Sequence, residues 1–403
     1  MKRRTFLSAS AALLASTGAG CSQRDSAEAG DAGAVAPVAP DGEPGRIVID
    51  ALGFLDNPNL RLEPGPPAGN GEAPGPEVID PRVLADGKAS GVAAINVTIG
   101  YVAGPMEPFE HSIEEIALWD ARIRSNPEHL IKVLDAEDIV EANRSGRLGV
   151  IYGFQNTAMM GDDAGRVTTF ARLGVRVIQL TYNIANQVGH GSMVPENGGL
   201  TEFGREVVAQ LNAERVLVDL SHSGEQTCLD ALEASTVPIA ITHSGCRALT
   251  DLPRNKTDAE LRLLAERGGV VGIYFMPFLL VQGQPMASDV VDHIDYALNV
   301  CGEDHVGIGT DGTITPVDDL ERYRVALAEE VEERRRMGIG ATGETADVVP
   351  FIPDMRGPQQ YRILADHLAD RGHSERVIDK ILGQNFLRLM DEVWSGAAGT
   401  TDA

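Results

Sequence analysis

Two histidines stand at the ends of neighbouring apolar runs. In the stretch "VLVDLSHSGEQTCLDALEASTVPIAITHSG", the runs 216–220 and 237–241 are each followed by a hydroxyl residue and then by His222 or His243. Neighbouring strands of a sheet lie about 5 Å apart, so imidazoles at adjacent strand ends can bind one divalent cation at about 2.0–2.1 Å each. These two residues are therefore candidate metal ligands.

An acid follows the last apolar run of the series. Asp311 lies in "VGIGTDGT", and it can approach the two histidines from another side, either as a ligand or as a general base. Other polar residues also follow apolar runs. They are Asp50, Asn96, Gln155, Asn156, Tyr182 and Asn183.

The elements that must position these residues alternate along the chain. From Arg46 onward, apolar β-rich runs are separated by amphipathic helical stretches, which is typical of a parallel sheet buried on both faces. The predicted strands are 46–51, 91–99, 148–154, 176–181, 216–220, 237–241, 269–275 and 305–309, with 129–134 as a ninth edge piece. Eight such strands predict a closed (β/α)8 TIM barrel, and an open doubly wound sheet is the alternative.

Helices are predicted between the strands and after them. The predicted helices are 113–125, 164–173, 201–213, 225–234, 258–267 and 290–301, with two more within 359–390. The charged stretch "EEVEERRRMG" at 329–338 is interpreted as a solvated helix face. In a barrel of this kind the catalytic residues gather at the carboxyl ends of the strands, where His222, His243 and Asp311 stand.

The overall charge limits the kinds of partner. The 403 residues carry a formal net charge of −25, with a pI near 4.7. Such an acidic chain is not expected to bind nucleic acid or an anionic membrane surface. An acidic surface of this kind mainly favours solubility.

The first residues predict export. Residues 1–21 begin with a basic Arg3-Arg4 pair and a short apolar run, which resembles a twin-arginine signal, and "GAGC" resembles a lipoprotein cleavage box that would leave a lipid on Cys21. Ordinary cleavage without lipid is the alternative. We expect a flexible linker at 22–45, a barrel domain at 46–392 and a flexible tail at 393–403. This makes the protein periplasmic or a membrane-anchored lipoprotein, in contact with the membrane only through Cys21.

Several longer motifs resemble one known family. The segment "VDLSHSGEQTCLDALEASTVPIAITHSGCRAL", the "PRN" at 253–255, and the stretches "GGLTEFGREVVAQLN", "VGIGTDGT" and "KILGQNFLRL" are similar to the renal (membrane) dipeptidase family of zinc metallopeptidases. The resemblance extends from Arg46 to about Met390. It implies a (β/α)8 TIM barrel of the metallo-dependent hydrolase type, with a two-zinc centre that hydrolyses dipeptides. The expected partner is therefore a small-molecule or dipeptide substrate, and the assembly is often a homodimer.

The resemblance also implies roles for single residues. His222 and His243 correspond to the pair that binds one zinc ion. Arg254 corresponds to the residue that binds the terminal carboxylate of the substrate. Asp311 corresponds to the acid beside the scissile amide and the amine of the substrate.

The chain departs from the family pattern at four positions. The first strand of the family ends in Asp-Gly-His-Asn-Asp, and this chain reads "DALGF" there, so Leu52 and Phe54 replace two zinc ligands. The bridging glutamate of the family is Gln155, whose neutral amide is a poor zinc ligand. Tyr182 replaces a histidine that assists the transition state, and its hydroxyl can donate a hydrogen bond to an oxyanion.

These departures leave three hypotheses. The first is a metallohydrolase with a single zinc at His222 and His243, which cleaves a dipeptide or a similar small amide whose carboxylate meets Arg254. The second is a non-catalytic barrel that binds a ligand without metal. The third is metal-free hydrolysis by Asp311 and Tyr182.

Overall fold

The computed structural model describes residues 45–62 and 78–395. The predicted signal at 1–21 with Cys21, the predicted linker except Gly45, and residues 396–403 of the predicted tail lie outside these residues. Within them, no helix is both long enough and apolar enough to cross a bilayer.

All nine predicted strands are confirmed, and they form one parallel sheet within the described residues. The strands are β1 (Ile49–Gly53), β2 (Ala94–Thr98), β3 (Leu130–Lys132), β4 (Leu148–Phe154), β5 (Val175–Gln179), β6 (Leu217–Asp219), β7 (Ala240–Ser244), β8 (Val270–Ile273) and β9 (Val306–Ile308). Their order is β1-β2-β4-β5-β6-β7-β8-β9, and β3 pairs with β4 alone, as an edge piece does.

Hydrogen bonds between the end of β1 and the segment after β9 close the sheet into a barrel. The N–H of Asp311 donates to the carbonyl of Leu52 at 2.8 Å, and the N–H of Phe54 donates to the carbonyl of Gly312 at 2.9 Å. The result is the predicted eight-stranded parallel barrel, rather than an open sheet with two free edges.

Helices connect the strands and cover the outside of the barrel. They are α1 (Pro81–Ser90), α2 (Pro108–Ser125), α3 (Ala136–Ser145), α4 (Arg166–Arg172), α5 (Glu202–Ala213), α6 (Glu225–Ala234), α7 (Asp258–Glu266), α8 (Ala287–Cys301), α9 (Leu320–Arg336), α10 (Gln360–Asp370), α11 (Glu375–Asp379) and α12 (Asn385–Ser395). The six helices predicted between the strands are confirmed as α2 and α4 to α8. A short π-helix, Lys380–Gln384, joins α11 to α12.

A buried carboxylate, Asp50, reinforces the closure between β1 and β9. It accepts hydrogen bonds from the N–H of Thr310 at 2.8 Å, from the hydroxyl of Thr310 at 2.6 Å and from the hydroxyl of Tyr361 at 2.8 Å. Burial raises the pKa of Asp50 to about 6, although the hydrogen bonds from Thr310 act in the opposite direction. Asp50 therefore connects β1 to the segment after β9 and to helix α10.

Helix α12 closes the amino-terminal end of the barrel. Its apolar face, which includes Phe386 and Leu389, packs on first residues of several strands, among them Ile49 and Val270. A Cβ on Gly307 would lie only 2.5 Å from the ring of Phe386, so glycine allows this ring to reach the sheet. Because α12 fills this end, the functional pocket is expected at the carboxyl ends of the strands, where the sequence places its polar residues.

Candidate active site

A pocket of about 360 Å³ lies at the carboxyl ends of the strands. Four of the sequence-predicted site residues line it together: Tyr182 after β5, His222 after β6, Arg254 after β7 and Asp311 after β9. His243 does not line the pocket; it lies within β7 and is fully buried. The wall opposite the barrel is formed by α9 and the segment after it.

His222 is fixed in one tautomer by Asn183. The side-chain N–H₂ of Asn183 donates to the carbonyl of Ile339 at 2.8 Å, so its oxygen faces Nδ1 of His222 at 2.7 Å and accepts a hydrogen bond from it. The lone pair of Nε2 then accepts a hydrogen bond from Nη2 of Arg254 at 3.1 Å. Burial lowers the pKa of His222 well below its ordinary value, and the charge of Arg254 adds to this, so the ring is neutral.

His243 has the same tautomer but a free nitrogen. The hydroxyl of Thr242 donates to Asp219 at 2.7 Å and accepts from Nδ1 of His243 at 2.8 Å. This leaves the lone pair of Nε2, which is buried and has no hydrogen-bond partner among the described residues. The two imidazoles are neighbours, as their strand positions predict, with ring centroids 5.0 Å apart and planes tilted by 60°.

Arg254 is the largest fully buried side chain of the described protein, at 1% exposure. Its Nη1 donates to the carbonyl of Ser221 at 2.5 Å, and its Nη2 donates to His222. A guanidinium has five N–H groups, so further donors remain for an anion in the pocket. The residue therefore combines a fixed position with spare hydrogen-bonding capacity.

Asp311 carries an unusual backbone and an unusual carboxyl group. Its φ of 55° lies in the left-handed region, which a non-glycine residue rarely adopts and which is common at functional sites. Burial raises the pKa of its carboxyl to about 7, although the positive charges of Arg254 and Arg334 act in the opposite direction. A carboxyl with this pKa is suited to accept and return a proton near neutral pH.

Tyr182 lies between His222 and a residue that the sequence reasoning missed. Its ring stacks on His222, with centroids 4.2 Å apart, and its hydroxyl accepts a hydrogen bond from Nη2 of Arg334 at 3.2 Å. Nε of Arg334 donates to Glu344 at 2.6 Å. The helical spacing of Leu327, Val331 and Arg334 could have indicated that one face of the charged stretch points inward.

The three substituted ligand positions provide no ligand set for a second metal. Leu52 is buried and apolar, and Phe54 lines the pocket with a hydrocarbon ring. The amide of Gln155 donates to the hydroxyl of Thr98 at 2.5 Å. The described residues therefore do not build the two-metal centre that the resemblance implies.

A single zinc ion does not fit these residues as they are arranged. Both histidines have the tautomer of metal ligands, but Nε2 of His222 is bonded to Arg254. A dication there would stand against the guanidinium. In the described parts of the chain, no group of three or more His, Cys, Asp or Glu side chains is placed to hold a metal ion.

The comparisons with known proteins agree with the fold and with the sequence motifs. Residues 81–337 match the family model of the membrane dipeptidases, peptidase family M19. An uncharacterized protein in the pqqA 5′ region of Klebsiella pneumoniae is 30% identical over 72% of this chain and 98% of its own length. The dipeptidase verJ of Clonostachys rogersoniana is 27% identical over 71% of this chain and 66% of its own length.

Solved structures show the same architecture. An amidohydrolase from Pseudomonas aeruginosa is 30% identical, covers 87% of this chain and 97% of its own chain, and has a TM-score of 0.72. A metallopeptidase from Rhodobacter sphaeroides, 22% identical over 86% of this chain and 99% of its own, shares the fold with a TM-score of 0.63. The family match covers more than half of the chain and agrees with the motifs around His222, His243 and Asp311. The chain belongs to the membrane dipeptidase family, peptidase family M19.

Proposed function

We propose that this chain is a dipeptidase-like hydrolase that cleaves a dipeptide, or a similar small amide with a free carboxylate. The observation that carries the proposal is that a buried guanidinium, Arg254, shares one pocket with a carboxyl, Asp311, whose pKa is about 7. Family membership and the dipeptidase among the relatives support the reaction type. The Rhodobacter sphaeroides protein carries a phosphinate mimic of the dipeptide L-Ala-D-Ala, which supports a ligand of this size.

Arg254 binds the carboxylate of the substrate. The N–H groups of Arg254 that are not bonded to Ser221 or His222 remain available to the substrate carboxylate. The guanidinium offers this carboxylate a forked, permanently charged donor. Because the guanidinium is held at two points, little conformational entropy is lost when the substrate binds. This contact fixes the distance from the substrate carboxylate to the amide that is cleaved.

Asp311 acts as the general base. In its ionised form it accepts a proton from a water molecule as that water attacks the scissile carbonyl carbon. The tetrahedral intermediate then collapses, the C–N bond breaks, and the protonated Asp311 returns its proton to the departing amine. The hydroxyl of Tyr182 donates a hydrogen bond to the carbonyl oxygen as negative charge develops there.

The proposed reaction uses the side chains of the pocket and no metal ion. The family is metal-dependent, but the single zinc ion that the sequence predicts at His222 and His243 does not fit the arrangement of these two residues. The unpaired Nε2 of His243 favours it, whereas the hydrogen bond from Arg254 to His222 opposes it.

A substrate screen with and without a chelator tests the function. The purified protein is assayed against L,L- and L,D-dipeptides and against β-lactam-like amides, with Asp311→Asn as the inactive control. Turnover that Asp311→Asn abolishes supports the proposal. The contrary result is thermal stabilisation by these compounds without turnover, both in the wild-type protein loaded with zinc and in the metal-free protein. That result contradicts the proposed hydrolysis and supports the non-catalytic binding barrel.

The location and assembly of the protein are further proposals. The Arg3-Arg4 pair and "GAGC" support export and a lipid anchor at Cys21. Substitution Cys21→Ala should then move the protein from the membrane fraction to the soluble fraction of the cell. The homodimer that the family suggests is tested by light scattering of the mature protein.

A further inference from the structure

Helix α9 turns one of its faces toward the barrel. Leu327 and Val331 lie on this face, at 6% and 3% exposure, and they pack with Val349 in a small apolar cluster. Arg334 follows three residues after Val331, on the same face of the helix, and only 22% of its side chain is exposed. The neighbouring Arg336 faces solvent, with 70% of its side chain exposed. One guanidinium of the charged run is thus separated from the rest and directed into the pocket.

The segment after α9 holds this guanidinium in place. Glu344 accepts a hydrogen bond from Nε of Arg334 at 2.6 Å through one oxygen and from the N–H of Ala341 at 3.0 Å through the other. The N–H groups of Ile339 and Gly340 both donate to the carbonyl of Arg334, at 3.1 and 3.2 Å. Arg334 is therefore fixed from both its backbone and its side chain.

The same segment is bonded to the barrel beside the histidines. The carbonyl of Ile339 accepts from Asn183, whose oxygen in turn orients His222. Arg334 then reaches the hydroxyl of Tyr182, which stacks on His222. These contacts connect the pocket wall formed by α9 and the segment after it to the mouth of the barrel.

The contact between Arg334 and Tyr182 has a definite direction. A guanidinium can only donate, so the phenolic oxygen accepts and its own hydrogen stays available to an acceptor in the pocket. Donation from a charged group polarises the O–H bond and makes the hydroxyl a stronger donor. Arg334 itself lines the pocket, so its positive charge lies beside an acceptor that is bound there.

We infer that Arg334 and Tyr182 form the oxyanion-binding pair of this pocket and stabilise negative charge on the carbonyl oxygen of the substrate. The inference rests on the proposed hydrolysis and adds the residue that supplies positive charge to it. That charge is needed because the donor set at His222 and His243 does not fit a zinc ion. Preorganised donors of this kind act where charge develops and not on the resting substrate.

Comparing the affinities of two ligands of the same length distinguishes stabilisation of the oxyanion from simple substrate binding. One is the phosphinate mimic of L-Ala-D-Ala, which carries negative charge at the position of the oxyanion. The other is the reduced-amide analogue of L-Ala-D-Ala, which keeps both termini and lacks the carbonyl oxygen. Dissociation constants are measured by calorimetry for the wild-type protein, Arg334→Met, Arg334→Lys and, as a matched control, Arg336→Met.

We expect Arg334→Met to weaken binding of the phosphinate about 100-fold and binding of the reduced amide less than about threefold. Arg334→Lys should restore part of the loss, and Arg336→Met should change neither affinity. Equal weakening of both ligands by Arg334→Met, or no weakening, overturns the inference and leaves the proposed hydrolysis standing. A wild-type protein that binds neither ligand overturns the proposed function and the oxyanion pair with it. Melting curves of all variants identify any that fail to fold, and for these the Arg334→Lys protein decides.

Discussion

Nη2 of Arg254 donates a hydrogen bond to Nε2 of His222 over 3.1 Å. The resemblance assigns His222 to a zinc ion, and the one lone pair that the tautomer of its ring leaves is bonded to a permanent organic cation. Asn183 fixes the tautomer that makes this bond possible, and burial keeps the ring neutral, so the arrangement is internally consistent. Leu52, Phe54 and Gln155 offer no ligand set for a metal, and Arg254 occupies the free lone pair of His222, so both observations oppose a metal at this site.

The first prediction concerns metal content. Because Arg254 occupies Nε2 of His222 and only His243 keeps a free nitrogen, wild-type protein dialysed after exposure to zinc should retain well below one equivalent. Arg254→Met frees the second nitrogen and should raise zinc retention. Mass-spectrometric metal analysis of both proteins measures this.

The control for metal content is a histidine outside the site. His129→Ala, an exposed position, should leave retention unchanged in both backgrounds. One equivalent of zinc in the wild-type protein that is lost in His222→Ala and kept in His129→Ala contradicts the prediction. That result would establish the single-zinc site at His222 and His243.

The second prediction is the pH dependence of turnover. Burial raises the pKa of Asp311 to about 7, so the ionised base forms only as the pH rises through this value. We expect kcat/KM to fall about tenfold per pH unit below 7 and to level off above it. Initial rates with one dipeptide between pH 5 and pH 9 test this, and a flat profile across pH 7 would exclude Asp311 as the base.

The third prediction concerns the effect of Arg334 on the pH profile of kcat/KM. The positive charge of Arg334 lowers the pKa of Asp311 against the effect of burial. Removing this charge in Arg334→Met therefore raises the pKa of Asp311, and the acid limb of the profile should move to higher pH. Arg336→Met, on the exposed side of α9, should leave the limb where it is, and an equal shift in both variants would contradict a local effect.

The sequence predicts the positions of the strands well, for a physical reason. A parallel sheet covered on both faces needs continuous Val/Ile runs, and these runs can be recognised without tertiary contacts. It follows that polar residues directly after the runs, such as Tyr182, His222 and Asp311, meet at one end of the barrel. Their shared pocket is a consequence of topology.

The sequence does not predict the contacts that decide the chemistry. Arg334 lies 152 residues from Tyr182, and its neighbours in the chain are charged residues that face solvent. Which of the three consecutive arginines turns inward depends on the packing of Leu327 and Val331. The hydrogen bond between Arg254 and His222 likewise depends on side-chain orientation, which no spacing in the sequence records.

The fourth prediction concerns the closure of the barrel. Tyr361 donates to buried Asp50 at 2.8 Å, so Tyr361→Phe leaves a buried carboxylate without one donor. At neutral pH this should lower the free energy of unfolding by about 1.5–3 kcal/mol. Tyr296→Phe removes a comparable hydrogen bond to Asp258 at a half-buried position, and it should cost less than about 1 kcal/mol.

The loss in free energy of unfolding caused by Tyr361→Phe should depend on pH. The pKa of Asp50 is about 6 in the folded protein, above its ordinary 3.8, so the folded state favours the protonated acid and stability falls as the pH rises from about 4 to 6. Loss of the Tyr361 hydroxyl raises this pKa further, so the fall extends above pH 6 in the variant. Urea unfolding at pH 4.5 and pH 8 should therefore show a larger difference between the variant and the wild-type protein at pH 8. An equal difference at both pH values would mean that Tyr361 contributes through packing and not through its bond to ionised Asp50.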